Sequence, residues 1–135
     1  MLTGYYCTNI FSGQAKELIA FYRDTLEIPF IKTDVDLTSG VYFGFLENAP
    51  TLYIWDCKVF NAEPTGHQSF VFQTDDLDLT KECLKKKSVA ISEAVRYDWG
   101  TCEVHLNDID RNEIVIIEFV QIINTGSLSS YMRIQ

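Results

Sequence analysis

The sequence predicts an α+β fold built from two βαβββ modules, and three observations carry that prediction. Strand-like and helix-like segments follow one another in the order β-α-β-β-β, break at a polar stretch, and begin again in the same order. Both helix-like segments carry apolar residues at helical spacing. The 135 residues, 47% hydrophobic and 13% aromatic, suffice to build the core of one domain of ordinary size.

The elements justify themselves in order. Residues 5–11 are rich in aromatic and β-branched types and read as a strand, which Ser12 and Gly13 interrupt. Over residues 14–27 the apolar positions Ala15, Leu18, Ile19, Tyr22 and Leu26 form the stripe of an amphipathic helix, and Pro29 forbids its continuation. Strands follow at 29–34, 40–47 and 51–57, with a turn expected at residues 47–50. The polar segment from Asn61 to Gly66 is the expected linker. Residues 68–74 then form a strand and 77–87 a helix, with Leu77, Thr80, Cys83, Leu84 and Lys87 on one side and Asp76 or Asp78 as its cap. The last strands are expected at 91–96, 100–107 and 113–120. Lys16-Glu17-Leu18 and Lys81-Glu82-Cys83 occupy the same point of the two helices, a faint internal echo. This gives one domain, with module 1 at about 5–60, module 2 at about 67–122 and a loosely held polar tail at 123–135.

Composition excludes several functions. A formal net charge of −8 repels phosphate backbones, and no basic stripe offsets it, so nucleic acid is not an expected partner. Lys85, Lys86 and Lys87 end a helix, where cations favourably meet its negative pole. No stretch approaches the ~20 apolar residues of a membrane span, so no membrane partner is expected. The N-terminus lacks a basic region followed by an apolar run. Cys7, Cys57, Cys83 and Cys102 are widely spaced within apolar or amphipathic patterns, which reads as buried reduced thiols in a cytoplasmic protein.

Strand alternation separates two faces. Tyr42, Tyr53 and Trp55 fall opposite Val41, Phe43, Leu52 and Ile54, while Glu103 and His105 fall opposite Cys102, Val104 and Leu106. Tyr97, Trp99, Glu103 and His105 hold comparable places in the second half. Were the two curved sheets to meet, these residues would line a concave, aromatic cleft with a few polar groups, as a small-molecule site requires. The competing reading is that the rings simply pack a seam.

Three segments bear on ancestry. Residues 20–30 run Ala-Phe-Tyr-Arg-Asp-Thr-Leu-Glu-Ile-Pro-Phe, residues 72–77 run Phe-Gln-Thr-Asp-Asp-Leu, and residues 108–116 run Asp-Ile-Asp-Arg-Asn-Glu-Ile-Val-Ile. They resemble, in order, the A-F-Y-x-x-x-L-G-F, F-x-V-x-D-L and D-P-D-G-N-x-I-E-L passages of the glyoxalase/bleomycin-resistance/dioxygenase (vicinal oxygen chelate) superfamily. With the element order, the resemblance spans residues 5 to about 120. It implies paired modules forming curved sheets around a central cleft, often in a homodimer. Enzymes of the family hold a divalent metal with His and Glu side chains from the first and last strands of each module, as a Lewis acid. Other members lack metal and bind antibiotics.

Carried across, the ligand positions fall on Cys7 (or Tyr6), on Tyr53 or Trp55, on Ser69 and on Val115. None is the expected residue, and only His67, two residues before Ser69, supplies a natural donor nearby. Asp56 is expected on the face away from Trp55. In the turn, Ile109 replaces Pro and Arg111 replaces Gly, so Asn112 is expected to take the left-handed conformation.

Asp108, Asp110 and Asn112 are spaced as in a calcium loop, but Glu113 stands where glycine is needed and Phe119 where the bidentate Glu should be. The expectation is therefore a small-molecule-binding protein of the glyoxalase/bleomycin-resistance type, without the usual metal and without another cofactor. Its ligand-binding residues are expected to be Tyr42, Tyr53, Trp55, His67, Trp99, Glu103 and His105. The alternative is a metal-dependent lyase (lactoylglutathione-lyase-like) or dioxygenase with a displaced ligand set drawn from His67, His105 and Glu103 or Glu118. A cleft filled by its own Tyr and Trp side chains is the third expectation.

Overall fold

A computed structural model describes residues 1–33, 40–46 and 51–120. The expected turn at residues 47–50, the strand ends at 34 and 47, and the polar tail lie outside the described residues. The chain divides into two compact units, one of Met1–Gln68 with Asp108–Arg111 and one of Ser69–Asn107 with the residues from Asn112 onward. Among the described residues, no helix is long and apolar enough to cross a membrane.

In the first unit, β1 (Cys7–Ser12) leads into α1 (Ala15–Ala20), which widens into a π-helical turn over Phe21–Thr25. Strands β2 (Phe30–Thr33), β3 (Gly40–Phe43) and β4 (Thr51–Asp56) complete a sheet of order β1-β4-β3-β2. β1 runs parallel to β4, and the other pairs are antiparallel. The helix stripe does what its spacing predicts: Leu18, Ile19 and Tyr22 are fully buried and share a core with Ile10, Val41, Phe43 and Ile54. The helix is expected to run unbroken to residue 27, but its last turns carry i→i−5 bonding, with Leu26 N–H on the Phe21 carbonyl. Glu27 then reverses the chain at φ 56, and Ile28 N–H returns to the Tyr22 carbonyl just before Pro29.

The second unit repeats the plan. β5 (Ser69–Gln73), α2 (Leu77–Lys86), β6 (Val95–Arg96), β7 (Thr101–Asn107) and β8 (Glu113–Phe119) form a sheet of order β5-β8-β7-β6. Again the first strand lies parallel to the last. Asp76 is the helix cap, accepting from Leu79 N–H at 3.0 Å. The buried stripe of α2 is narrower than expected. Leu77 and Leu84 are buried, whereas Cys83 and Lys87 are exposed, being turned off that line. The thiols are free, but only Cys57 is buried; Cys7 and Cys102 are half-buried and Cys83 is exposed. The echo between the helices thus stops at chain level, since Leu18 is core and Cys83 is surface.

Residues 61–66 do not run free. Thr65 N–H donates to the Phe11 carbonyl at 3.0 Å, and Phe11 N–H donates to Thr65 Oγ1 at 3.0 Å, so the segment lies along β1. In the turn after β7, Arg111 takes the left-handed conformation at φ 67. Asn112 is the expected residue, but it is fully buried directly before β8. The turn keeps the backbone shape of a glycine position although a side chain occupies it.

Candidate functional site

Cross-strand register fixes which side chains share a face. In the second sheet, Ser69 pairs with Glu113, Val71 with Val115, His105 with Val115, Glu103 with Ile117 and Thr101 with Phe119. Partners in register point the same way, so all these residues lie on one face. The opposite face carries Val104, Leu106, Ile114 and Ile116, all buried, and meets α2. Glu118 belongs to that helix side and accepts Leu77 N–H at 2.8 Å, which takes it out of any set with Glu103 and His105.

On the first face the polar groups form a continuous ladder. Trp99 Nε1–H donates to Thr101 Oγ1 at 2.8 Å, and Thr101 Oγ1–H donates to Glu103 Oε2 at 2.8 Å. His105 stands between two carboxylates, with Nε2 3.7 Å from Glu103 Oε1 and Nδ1 3.4 Å from Glu113 Oε2. Ser69 Oγ–H donates to Glu113 Oε1 at 2.7 Å. The Ser69 hydrogen bond, then His105, hold the Glu113 carboxyl below the usual range. Tyr97 and Trp99 sit on the hairpin turn between β6 and β7 rather than on a strand, with Gly100 at φ 104 closing it. Their rings stack at 4.2 Å and 10°. Trp99 is 51% exposed, so a broad ring face remains open beside the acids.

The first sheet carries its aromatic residues differently. Tyr42 pairs with Tyr53, Tyr53 with Asn9, and Trp55 with Phe11 and Gly40, so these too share a face. Tyr53 stacks on Trp55 at 3.7 Å, Tyr42 meets Tyr53 edge-on at 5.7 Å, and Phe60 caps Trp55 at 4.6 Å. Trp55 Nε1–H donates to Asn9 Oδ1 at 3.0 Å. Tyr42 and Tyr53 are 3% and 8% exposed, so these rings mainly cover one another. Gly40 makes the cluster possible. A Cβ there would stand 2.6 Å from Trp55 Cε3 and 2.8 Å from Tyr53 Cε1.

His67 lies on the first unit and lines a cavity of about 500 Å³ with Phe11, Gly13, Arg111 and their neighbours. The expected site residues therefore fall into three places: Tyr42, Tyr53 and Trp55 in the first sheet's aromatic cluster, His67 at this cavity, and Trp99, Glu103 and His105 on the second sheet's ladder. The expected ligand-binding residues do not include Glu113, Thr101, Asn9 and Phe60, which touch them, or Ser69, which touches Glu113. Glu113 was within reach, because it stands two residues from Val115 and so on the same strand face.

Of the positions that the resemblance assigns to a metal, Val115 has no donor atom, Trp55 has no lone pair to offer, and the Ser69 hydroxyl is engaged by Glu113, which leaves Cys7 (or Tyr6) and Tyr53 as the donors. Asp108 and Asp110 of the calcium-like string are likewise occupied, by Tyr22 and by Gln14. Among the described residues, no group of three His, Cys, Asp or Glu side chains is arranged to hold a metal.

A family model described as Glyoxalase/Bleomycin resistance protein/Dioxygenase superfamily matches residues 6–116. No curated protein matches the chain. Solved structures do. The antibiotic-binding protein TnmS3 from Streptomyces sp. CB03234 superposes with a TM-score of 0.69 at 18% identity, over 87% of this chain and 97% of that one. Lactoylglutathione lyase from Agrobacterium tumefaciens gives 0.66 at 19% identity, over 87% and 95%. A glyoxalase/bleomycin resistance protein/dioxygenase from Nocardioides gives 0.68 at 12% identity, over 96% and 91%. At such identities the likeness is one of fold.

Proposed function

This chain belongs to the glyoxalase/bleomycin resistance protein/dioxygenase superfamily, and from that premise we propose that it binds a small planar organic cation, without the superfamily's usual metal centre. The observation that carries the reading is the ladder beside Trp99. Stacked rings attract a flat, positively charged ligand through their π faces, and Glu103 and Glu113 supply the opposite charge. The chain's net charge of −8 favours approach of a cation. Likeness in fold to an antibiotic-binding protein supports a small-molecule ligand. Tyr42, Tyr53, Trp55 and His67 remain proposed contacts, each answerable by its own variant. The same reading includes a cytoplasmic homodimer, which sedimentation and cell fractionation test.

Titration with proflavine, a planar cation, tests the reading against a neutral aromatic of similar shape. Glu103→Gln and Glu113→Gln are each expected to weaken proflavine by about tenfold, the scale of one charged contact. Equal affinity for both probes would overturn it.

A metal-dependent lyase or dioxygenase with a displaced ligand set is the second reading. His105 between Glu103 and Glu113 favours it, since imidazole and carboxylate are metal donors. Against it, the two carboxylates approach opposite nitrogens of the ring and do not converge. Stoichiometric Ni, Zn, Mn or Fe in freshly purified protein, lost in the His67→Ala/His105→Ala double variant, would establish it in place of the metal-free reading.

A further inference from the structure

The cavity beside His67 lies wholly on the first unit, at the end of β1, and has about 500 Å³ of space. Its walls are apolar at Phe11, Pro64 and Ile109 and polar at His67, Asp110 and Arg111. The turn that forms one wall is held from several sides. Asp108, 5% exposed, accepts the Tyr22 hydroxyl at 2.6 Å and Asp110 N–H at 2.9 Å. Gln14 Nε2 donates to the Ile109 carbonyl at 3.1 Å and to Asp110 Oδ1 at 2.6 Å. Arg111 N–H closes the turn on the Asp108 carbonyl at 3.0 Å.

Arg111 adopts φ 67 within this frame, a conformation that a residue with a Cβ takes at a cost and glycine takes freely. Strain held in place by surrounding bonds points to a role for the side chain. Among the described residues, neither the Arg111 guanidinium nor the His67 imidazole has a hydrogen-bond or ion-pair partner. Asp110 is engaged by Gln14 rather than by Arg111. A fixed turn thus presents an uncommitted planar cation at the wall of a cavity that is part apolar and part polar.

We propose that this cavity binds a small organic carboxylate. Its apolar body lies against Phe11, Pro64 and Ile109, its carboxylate pairs with the Arg111 guanidinium, and His67 supplies a second donor. The site shares only His67 with the residues proposed for the cation and involves none of the aromatic residues or acids of the second sheet, so the Arg111 test is independent of the cation reading.

The test uses benzoate as the probe and benzyl alcohol as its neutral counterpart, followed through the backbone amide signals of Gly13, Gly66 and Arg111. Benzoate is expected to shift these signals to saturation with a dissociation constant of roughly 1 mM or below, and benzyl alcohol to bind at least about tenfold more weakly. Arg111→Gly relieves the left-handed strain, so it stays folded while losing the guanidinium; benzoate affinity is expected to fall about tenfold. Gly13 supplies a second variant. A Cβ there meets nothing within 4 Å, so a side chain at this position of the cavity wall starts into open space, and Gly13→Phe is expected to weaken benzoate binding. Unchanged benzoate affinity in Arg111→Gly, equal binding of the two probes, or no shift at these amides would overturn the proposal.

Discussion

The Tyr22 hydroxyl donates to the Asp108 carboxylate at 2.6 Å across 86 positions of sequence. It joins the aromatic position of the helix motif to the first acid of the turn motif, and both side chains are buried. Burial, followed by the bond to Asp108, pushes the Tyr22 phenol far above its ordinary value of 10.0. Tyr22→Phe should therefore destabilise the protein by about 1–3 kcal/mol, because a buried carboxylate loses a donor. Stability linked to this group is complete below pH 10.0 and lost as pH rises above it, since the folded state holds the proton more tightly. Denaturant melts across alkaline pH should fall more steeply for wild type than for Tyr22→Phe.

Glu113 titrates in the opposite sense. Ser69 and His105 hold its carboxyl below 4.5, so its contribution is present above that pH and is lost as pH falls through the lower, folded-state value. Following the Glu113 carboxyl carbon by NMR should give a midpoint below 4.5 in wild type and a higher one in Ser69→Ala. A wild-type midpoint at or above 4.5 would remove the Ser69 contact from the account.

Gly40→Ala should cost about 1–3 kcal/mol through overpacking, since the new methyl would meet the rings of Trp55 and Tyr53 inside 3 Å. In the Gly40→Ala/Trp55→Ala background the added cost of the methyl should shrink. Urea midpoints of the single and double variants read this coupling.

Arg111→Gly should stabilise the fold by about 1 kcal/mol, seen as a raised Tm, because the left-handed backbone no longer carries a Cβ. A lowered Tm would mean that the arginine side chain supports the turn.

Much of the fold was legible because it rests on local periodicity. The stripe of Leu18, Ile19 and Tyr22 reads directly as a buried helix face, and alternation in residues 101–107 places Glu103 and His105 together. What lay hidden depends on pairing between distant strands. Only the register of β8 against β5 and β7 sets Ser69 and His105 on either side of Glu113, and register cannot be read from one strand. The turn residue was misassigned for a related reason. Arginine disfavours positive φ locally, but bonds from Tyr22 and Gln14 to the neighbouring acids hold the turn in that shape. Cys83 and Lys87 were placed too far inward because a helical stripe was drawn wider than the sheet beneath it covers.

The most direct measurement of the central claim uses the two tryptophans of the chain, whose indole N–H groups have distinct partners, Thr101 for Trp99 and Asn9 for Trp55. Their two indole N–H signals, assigned with Trp55→Phe and Trp99→Phe, can be followed while proflavine is added. Binding at the second sheet's ladder predicts a saturable shift of the Trp99 signal that Glu103→Gln weakens. A Trp99 signal that stays fixed while proflavine binds would contradict the account.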